Sequence, residues 1–136
     1  MRATSALAGR GVALRHLHIS THKPFAGPAV LEACASARYG VITMENHSVI
    51  GGLGSATAER MAEAGLGQRL IRIGLKDTYA HGASRPYLMK KYGLDATALV
   101  RAVEDLTGEA FGLTEADLAA VRLSGASGSA AKVEAL

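Results

Sequence analysis

Met44-Glu45-Asn46-His47-Ser48-Val49-Ile50-Gly51-Gly52-Leu53-Gly54-Ser55-Ala56 is the stretch on which the fold turns. It begins at the end of Gly40-Val41-Ile42-Thr43-Met44-Glu45, a run short and mostly apolar, as a strand covered on both faces must be. It then passes an acid and a histidine, crosses glycines at 51, 52 and 54, and enters Ser55 to Ala64, a helical segment closed by Gly65 and Gly67. In that segment Ala58 and Met61 can face a sheet while Glu59, Arg60 and Glu63 face water. The glycines permit positive φ and close backbone approach, and the amides that open the helix suit an anion. The spacing matches neither the dinucleotide fingerprint nor a P-loop, because no Gly-Lys-Ser/Thr follows. Taken alone, the glycines are equally explained by a helix packed tightly on the sheet.

Outward from this turn, strand and helix signals alternate. Upstream, Val12 to Ile19 is rich in aliphatics and stops at Ser20-Thr21-His22-Lys23-Pro24, where Pro24 blocks further ladder pairing. Pro28 to Arg38 follows as a helix with proline in its first turn and Gly40 just past its end. Downstream, Arg69 to Leu75 reads as a third strand. Ser84 to Tyr92 is a helix with Gly93 as its stop. Asp95 to Leu106 is another, capped by Asp95, with Leu99, Val103 and Leu106 recurring at helical spacing after Leu94. Thr114 to Arg122 has the spacing of a capping box, Asp117 standing in for the usual Glu. This order predicts an α/β fold, three-layer α/β/α, around a small, mostly parallel sheet. The domain is expected over 1–123, with a small, polar, flexible tail over 124–136.

The 136 residues suit one domain with a real core, and at 49% apolar content disorder is not expected. Tryptophan is absent and aromatics are 4%, so the core is aliphatic. The net charge of +3 is spread among acidic residues, without the clustered basic face interleaved with aromatics that nucleic acid requires. No run approaches the ~18 apolar residues of a membrane span, and no signal peptide is evident, so a cytoplasmic location is expected. A lone Cys34 excludes an internal disulfide and a cysteine zinc cage.

Glu45 and His47 carry the strongest functional signal. As alternate residues of an extended segment they point the same way, either to anchor a partner surface or to fasten the turn as a hydrogen-bonded pair. Gly51, Gly52 and Gly54 belong to the same candidate site, and Lys23, at a strand end, is placed to meet a phosphate or simply solvent. His16 and His18 alternate on one face, but no third ligand is spaced to join them, so no metal site is expected. Arg85, Lys90 and Lys91 form a basic helix face.

The string Glu45 to Ala56 closely resembles the C-terminal domain of transketolases, especially the split, two-subunit prokaryotic kind. Thr21-His22-Lys23-Pro24-Phe25 resembles that family's Thr-Ile-Lys-Pro-Leu element, with Phe25-Ala26 in place of its Leu-Asp. Gly74-Leu75-Lys76-Asp77-Thr78-Tyr79-Ala80-His81-Gly82 is similar to its Gly-x-x-Asp-x-Phe-x-x-x-Gly element, and Lys91-Tyr92-Gly93-Leu94-Asp95 matches its Lys-Tyr-Gly-Leu-Asp. The four elements keep the family's order and cover roughly residues 10 to 107.

The resemblance implies a domain that supports a thiamine diphosphate- and Mg-dependent ketol transfer between sugar phosphates without holding its catalytic groups or binding the cofactor alone. It implies the N-terminal transketolase domains or subunit as partners, within a homo- or hetero-oligomer. It also implies that the family domain has two further strands, one of them central, before the helix in which this chain begins. Two other readings stand beside it. One is a free-standing module that binds a protein or an anionic metabolite through the Glu45–Gly54 turn. The other is the equivalent domain of a deoxyxylulose phosphate synthase or a 2-oxo acid dehydrogenase β subunit.

Overall fold

Every buried side chain in the first helix of the computed structural model faces two later helices. The structure describes residues 1–25 and 27–121; the tail expected over 124–136 lies outside them. Helix α1 (Arg2–Ala8) buries Ala3 and Leu7, the latter with no exposed surface, in a cluster with Val100, Val103, Phe111 and Leu118. Leu7 is followed by a turn in which Val12 donates its amide to the Leu7 carbonyl at 3.0 Å. The remaining elements are α2 (Pro28–Ser36), β1 (Val41–Ser48), α3 (Leu53–Glu63), β2 (Leu70–Leu75), α4 (Arg85–Lys91), α5 (Ala96–Thr107) and α6 (Glu115–Ala120).

β1 and β2 are parallel, in the register Val41 to Leu70, Ile42 to Ile71, Thr43 to Arg72 and Met44 to Ile73, with an irregularity before Ser48 meets Leu75. Side chains alternate across this ladder. Ile42, Ile71, Ile73 and Leu75 pack with Leu94 and Ala102 on the α5 side. Thr43, Glu45 and Arg72 face α3 on the other side, and α2 packs against α3. The result is the three-layer α/β/α order expected, with both aliphatic clusters on the α5 side of the sheet and buried Thr43, Glu45 and Thr57 on the α3 side. Asp95 caps α5 by accepting from the Ala98 amide at 2.9 Å, and Gly108 ends it in the left-handed region. Thr114 and Asp117 form the reciprocal capping box of α6. No helix among the described residues is long and apolar enough to cross a membrane.

The strand expected over Val12–Ile19 does not form. Val12 and Leu14 are half-buried against the α1–α5–α6 cluster, but the segment belongs to no ladder. Among the described residues, β1 pairs only with β2, and main-chain groups from Ala13 to His22 make no main-chain hydrogen bond. Aliphatic composition meets only the side-chain half of a strand's requirements; the backbone half needs a neighbour within about 4.8 Å. Here a cleft separates the segment from β1.

Candidate functional site

β1 carries Glu45 to the point where the chain leaves the sheet, and its side chain, only 3% exposed, turns toward the start of α3. There Oε2 accepts the Leu53 amide at 2.6 Å and Oε1 accepts the Gly54 amide at 3.1 Å. The first amides of a helix have no partner within the helix and carry its positive dipole end, so a carboxylate is the group they bind best. The residue at the helix-cap position, Gly52, has no side chain to do this. Glu45, seven positions upstream of that glycine, does it instead.

The glycines make room for that carboxylate. A Cβ on Gly52 would overlap Glu45 Oε2 and lie 2.6 Å from His47 Cε1. On Gly54 it would lie 2.6 Å from Arg72 Cδ and 2.9 Å from Thr43 Oγ1. Gly51 has a different reason: nothing crowds it, but its φ of 71° is left-handed. Gly74, in β2, completes the set, since a Cβ there would press on Val49 Cγ1 at 2.7 Å and Glu45 Cγ at 2.9 Å.

Ser55 staples the turn to the helix. Its hydroxyl donates to the Val49 carbonyl at 2.9 Å and accepts the Gly51 amide at 3.1 Å. Arg72 reaches from β2 to the same carbonyl at 3.3 Å. Arg72 lies outside the motifs of the sequence, and Ser55 and Gly74, though inside them, carry no assigned part there. For Arg72 and Gly74 the signal is a single arginine and a single glycine inside the aliphatic run Leu70–Leu75, each of which marks a side chain or backbone that meets something specific.

His47 stands at the rim. Its Nδ1 lies 3.0 Å from the Ser48 carbonyl oxygen, which can only accept, so that nitrogen carries a proton. Its Nε2 is 3.5 Å from Glu45 Oε2, too long for a hydrogen bond, and its side chain is 54% exposed. Glu45 and His47 therefore share one side of β1 but differ in environment: one is enclosed, the other open. Ile50, beside it on the turn, is 63% exposed. Lys23 is exposed on the loop after the unpaired segment and does not line the cleft there, whereas His16, His18 and His22 do. Among the described residues no group of three or more His, Cys, Asp or Glu side chains is placed to hold a metal ion. Cys34 is buried in α2, and burial pushes its thiol up.

Chemically, the turn is a closed device. The two amides that an incoming anion would seek already hold Glu45, so the start of α3 does not fit a diphosphate. What the turn offers outward is His47, Ile50 and backbone.

Residues 1–99 match the family described as "Transketolase, C-terminal domain". Over 105 residues the chain is 42% identical to the 6-deoxy-6-sulfo-D-fructose transketolase subunit of Clostridium sp. strain MSTE9, covering 77% of this chain and 32% of that protein. It is 35% identical over 108 residues to the 1-deoxy-D-xylulose-5-phosphate synthase of Chlorobium phaeovibrioides, covering 76% of this chain and 17% of that one. A solved split-gene transketolase, an inactive β4 tetramer, superposes with a TM-score of 0.66 at 38% identity over 78% of this chain and 35% of its own. The chain thus spans at most about a third of the length of these relatives. With the family match covering well over half the chain, and with the parallel βαβ core and the Glu45–Ala56 turn agreeing with it, this protein belongs to the transketolase C-terminal domain family.

Proposed function

We propose that this domain is the non-catalytic C-terminal part of a thiamine diphosphate-dependent ketol transferase acting on sugar phosphates, and that it works by assembling with the domains or subunit that hold the cofactor. The observation that carries this reading is the engagement of Glu45. The one enclosed acid of the candidate site is spent on two helix amides, so it supports structure and is not free to move protons. The same engagement disfavours a free-standing module for an anionic metabolite, because the amides such a ligand would need are taken. On this reading the cofactor's diphosphate and magnesium are held by the partner domains. Higher identity to a transketolase subunit than to the synthase, 42% against 35%, favours ketol transfer. A structural neighbour described as a tetramer supports a homo- or hetero-oligomeric assembly.

Two measurements test the reading. Calorimetry of the chain with thiamine diphosphate and Mg²⁺ gives no saturable heat up to about 100 μM ligand, a range that covers any affinity better than roughly −5.5 kcal/mol. Mixing the chain with a subunit carrying the cofactor-holding domains gives ketol transfer that neither shows alone. Saturable cofactor binding by the isolated chain overturns the proposal.

A further inference from the structure

Helix α4 differs from the other described helices in burying no residue. Leu88 and Met89 on it are half-buried, and so is Tyr92 at its C-cap. A helix of seven residues does not hold its shape alone in water, so its apolar face has to cover something. What it covers is a pocket of about 250 Å³ between itself and the sheet.

At the sheet this pocket is bounded by Leu75, the last residue of β2, and by Asn46 near the end of β1. It therefore lies at the carboxyl ends of two parallel strands, where open α/β sheets receive small ligands. Asn46 alternates with Glu45 and points to the opposite layer, so the site shares nothing with the amides that hold Glu45.

Its chemistry is one-sided. Arg85 is the only charged residue in the lining, and it is exposed. Among the described residues its guanidinium pairs with no carboxylate. The exposed side-chain amide of Asn46 is a second polar group. The walls are otherwise alkyl or aromatic, from Leu88, Met89, Leu94 and Tyr92, with Ala80 and Ala83 at the 76–84 segment. Tyr92 turns its hydroxyl to the Tyr79 carbonyl at 3.4 Å, which leaves its ring for the pocket.

We infer that this pocket binds a small amphiphilic carboxylate, its hydrocarbon body under α4 and its carboxylate on Arg85, with the Asn46 amide donating beside it. A guanidinium presents paired N–H donors that match the two oxygens of a carboxylate. A lone cation backed by apolar walls, with no acid in the lining, selects an anion. A sugar phosphate does not fit, because its hydroxyls would lie unsatisfied against those walls. A dry cavity of about 150 Å³ lodges benzene, so the space under α4 takes a body of about ten non-hydrogen atoms at most. The site is thus separate from the sugar phosphates of the reaction proposed above, and the inference survives if that proposal fails.

The test uses the full chain, isotope-labelled for NMR, with hexanoate as the probe and hexan-1-ol and acetate as controls. Hexanoate should give saturable shifts at the amides of Asn46, Leu75 and residues 88–94, with a Kd of about 1 mM or tighter. Hexan-1-ol lacks the charge and acetate lacks the body, so each should bind at least about tenfold more weakly. Arg85→Gln, at an exposed position with no carboxylate partner, should keep the fold by circular dichroism. It should weaken hexanoate about tenfold or more and leave hexan-1-ol unchanged. Ala83→Phe, which fills the pocket from its rim, should abolish the hexanoate shifts. Four results each overturn the inference. They are no saturable shift up to about 10 mM hexanoate, far above the Kd expected of such a ligand; equal affinity for hexanoate and hexan-1-ol; affinity indifferent to Arg85→Gln; and shifts at these amides that track the chain's own concentration without ligand, which would mean that a second copy covers the pocket.

Discussion

Glu45 Oε2 lies 2.6 Å from the amide nitrogen of Leu53, eight residues along the chain, and with the neighbouring bond to Gly54 it fixes where β1 ends and α3 begins. A buried, charged acceptor on two helix amides combines a helix cap with an anchor between sheet and helix. Hydrogen bonds to charged groups contribute about 1.5–3 kcal/mol, and a lost cap costs about 0.5–2. Glu45→Ala should therefore destabilise the domain by about 2–4 kcal/mol in a urea melt, and Glu45→Gln, which keeps one acceptor oxygen, by about half as much. Equal effects for the two substitutions would mean that packing, not capping, holds this residue.

The glycines beside it separate two causes that look alike in a sequence. Gly51→Ala meets only the strain of a left-handed φ, about 1 kcal/mol. Gly52→Ala drives a methyl into the Glu45 carboxylate and should cost about 2–4 kcal/mol, comparable with losing the cap. The two single losses share a cause, so Glu45→Ala with Gly52→Ala should fall short of additivity by about 1–2 kcal/mol. Glu45→Ala with Gly51→Ala should be additive. Denaturant melts of the five variants decide it.

Most of the fold is legible in residue pattern, and the exceptions have physical reasons. β1, β2 and the helices α2 to α6 lie within about three residues of their signals, because apolar spacing, Asp95, Pro28 and the Thr114–Asp117 box act locally. α3 begins two residues before the expected Ser55 because its cap comes from Glu45, and rules that search next to a helix cannot see a cap from a distant strand. Val12–Ile19 fails as a strand for the same kind of reason, since side-chain pattern records what a segment would bury and not which backbone lies beside it. At the site, the shared direction of Glu45 and His47 follows from alternation. Their contrast in burial, and the parts played by Ser55, Arg72 and Gly74, depend on the approach of α3 and β2.

The pH dependence of the last helix can be given a sign. The Thr114 hydroxyl donates to Asp117 at 2.6 Å and the Thr114 amide at 2.8 Å, which together hold this carboxyl below its ordinary value of 3.8, with a smaller pull from Arg10. A depressed folded-state value means a contribution fully present above the unfolded chain's value and lost as pH falls through the folded one. The stability gap between the natural chain and Asp117→Ala should thus be constant near neutral pH and shrink as pH falls below about 4. Urea midpoints of both proteins from about pH 6 to about pH 2 measure it. A gap that widens toward acid would show that the capping box is not the charged arrangement described.

The turn's outward residues should separate stability from assembly. His47 and Ile50 are exposed, and neither supplies the cap, so His47→Ala and Ile50→Asp should each shift folding stability by no more than about 0.5 kcal/mol. If the turn is an association surface, as proposed, the cost appears when the cofactor-bearing subunit is added. Ile50→Asp buries a charge against that partner and should weaken association by about 2 kcal/mol or more, roughly thirtyfold, while His47→Ala gives a smaller loss. Turnover of the assembled pair, measured at subunit concentrations that saturate the weakened contact, should then return to within a few-fold of the unmodified enzyme. Analytical ultracentrifugation and a ketol-transfer assay on the same samples read both quantities. A drop of about 10⁴ in turnover for His47→Ala with assembly intact would exceed what a lost surface contact can do, and it would move His47 from the interface into the proton transfers of the reaction itself.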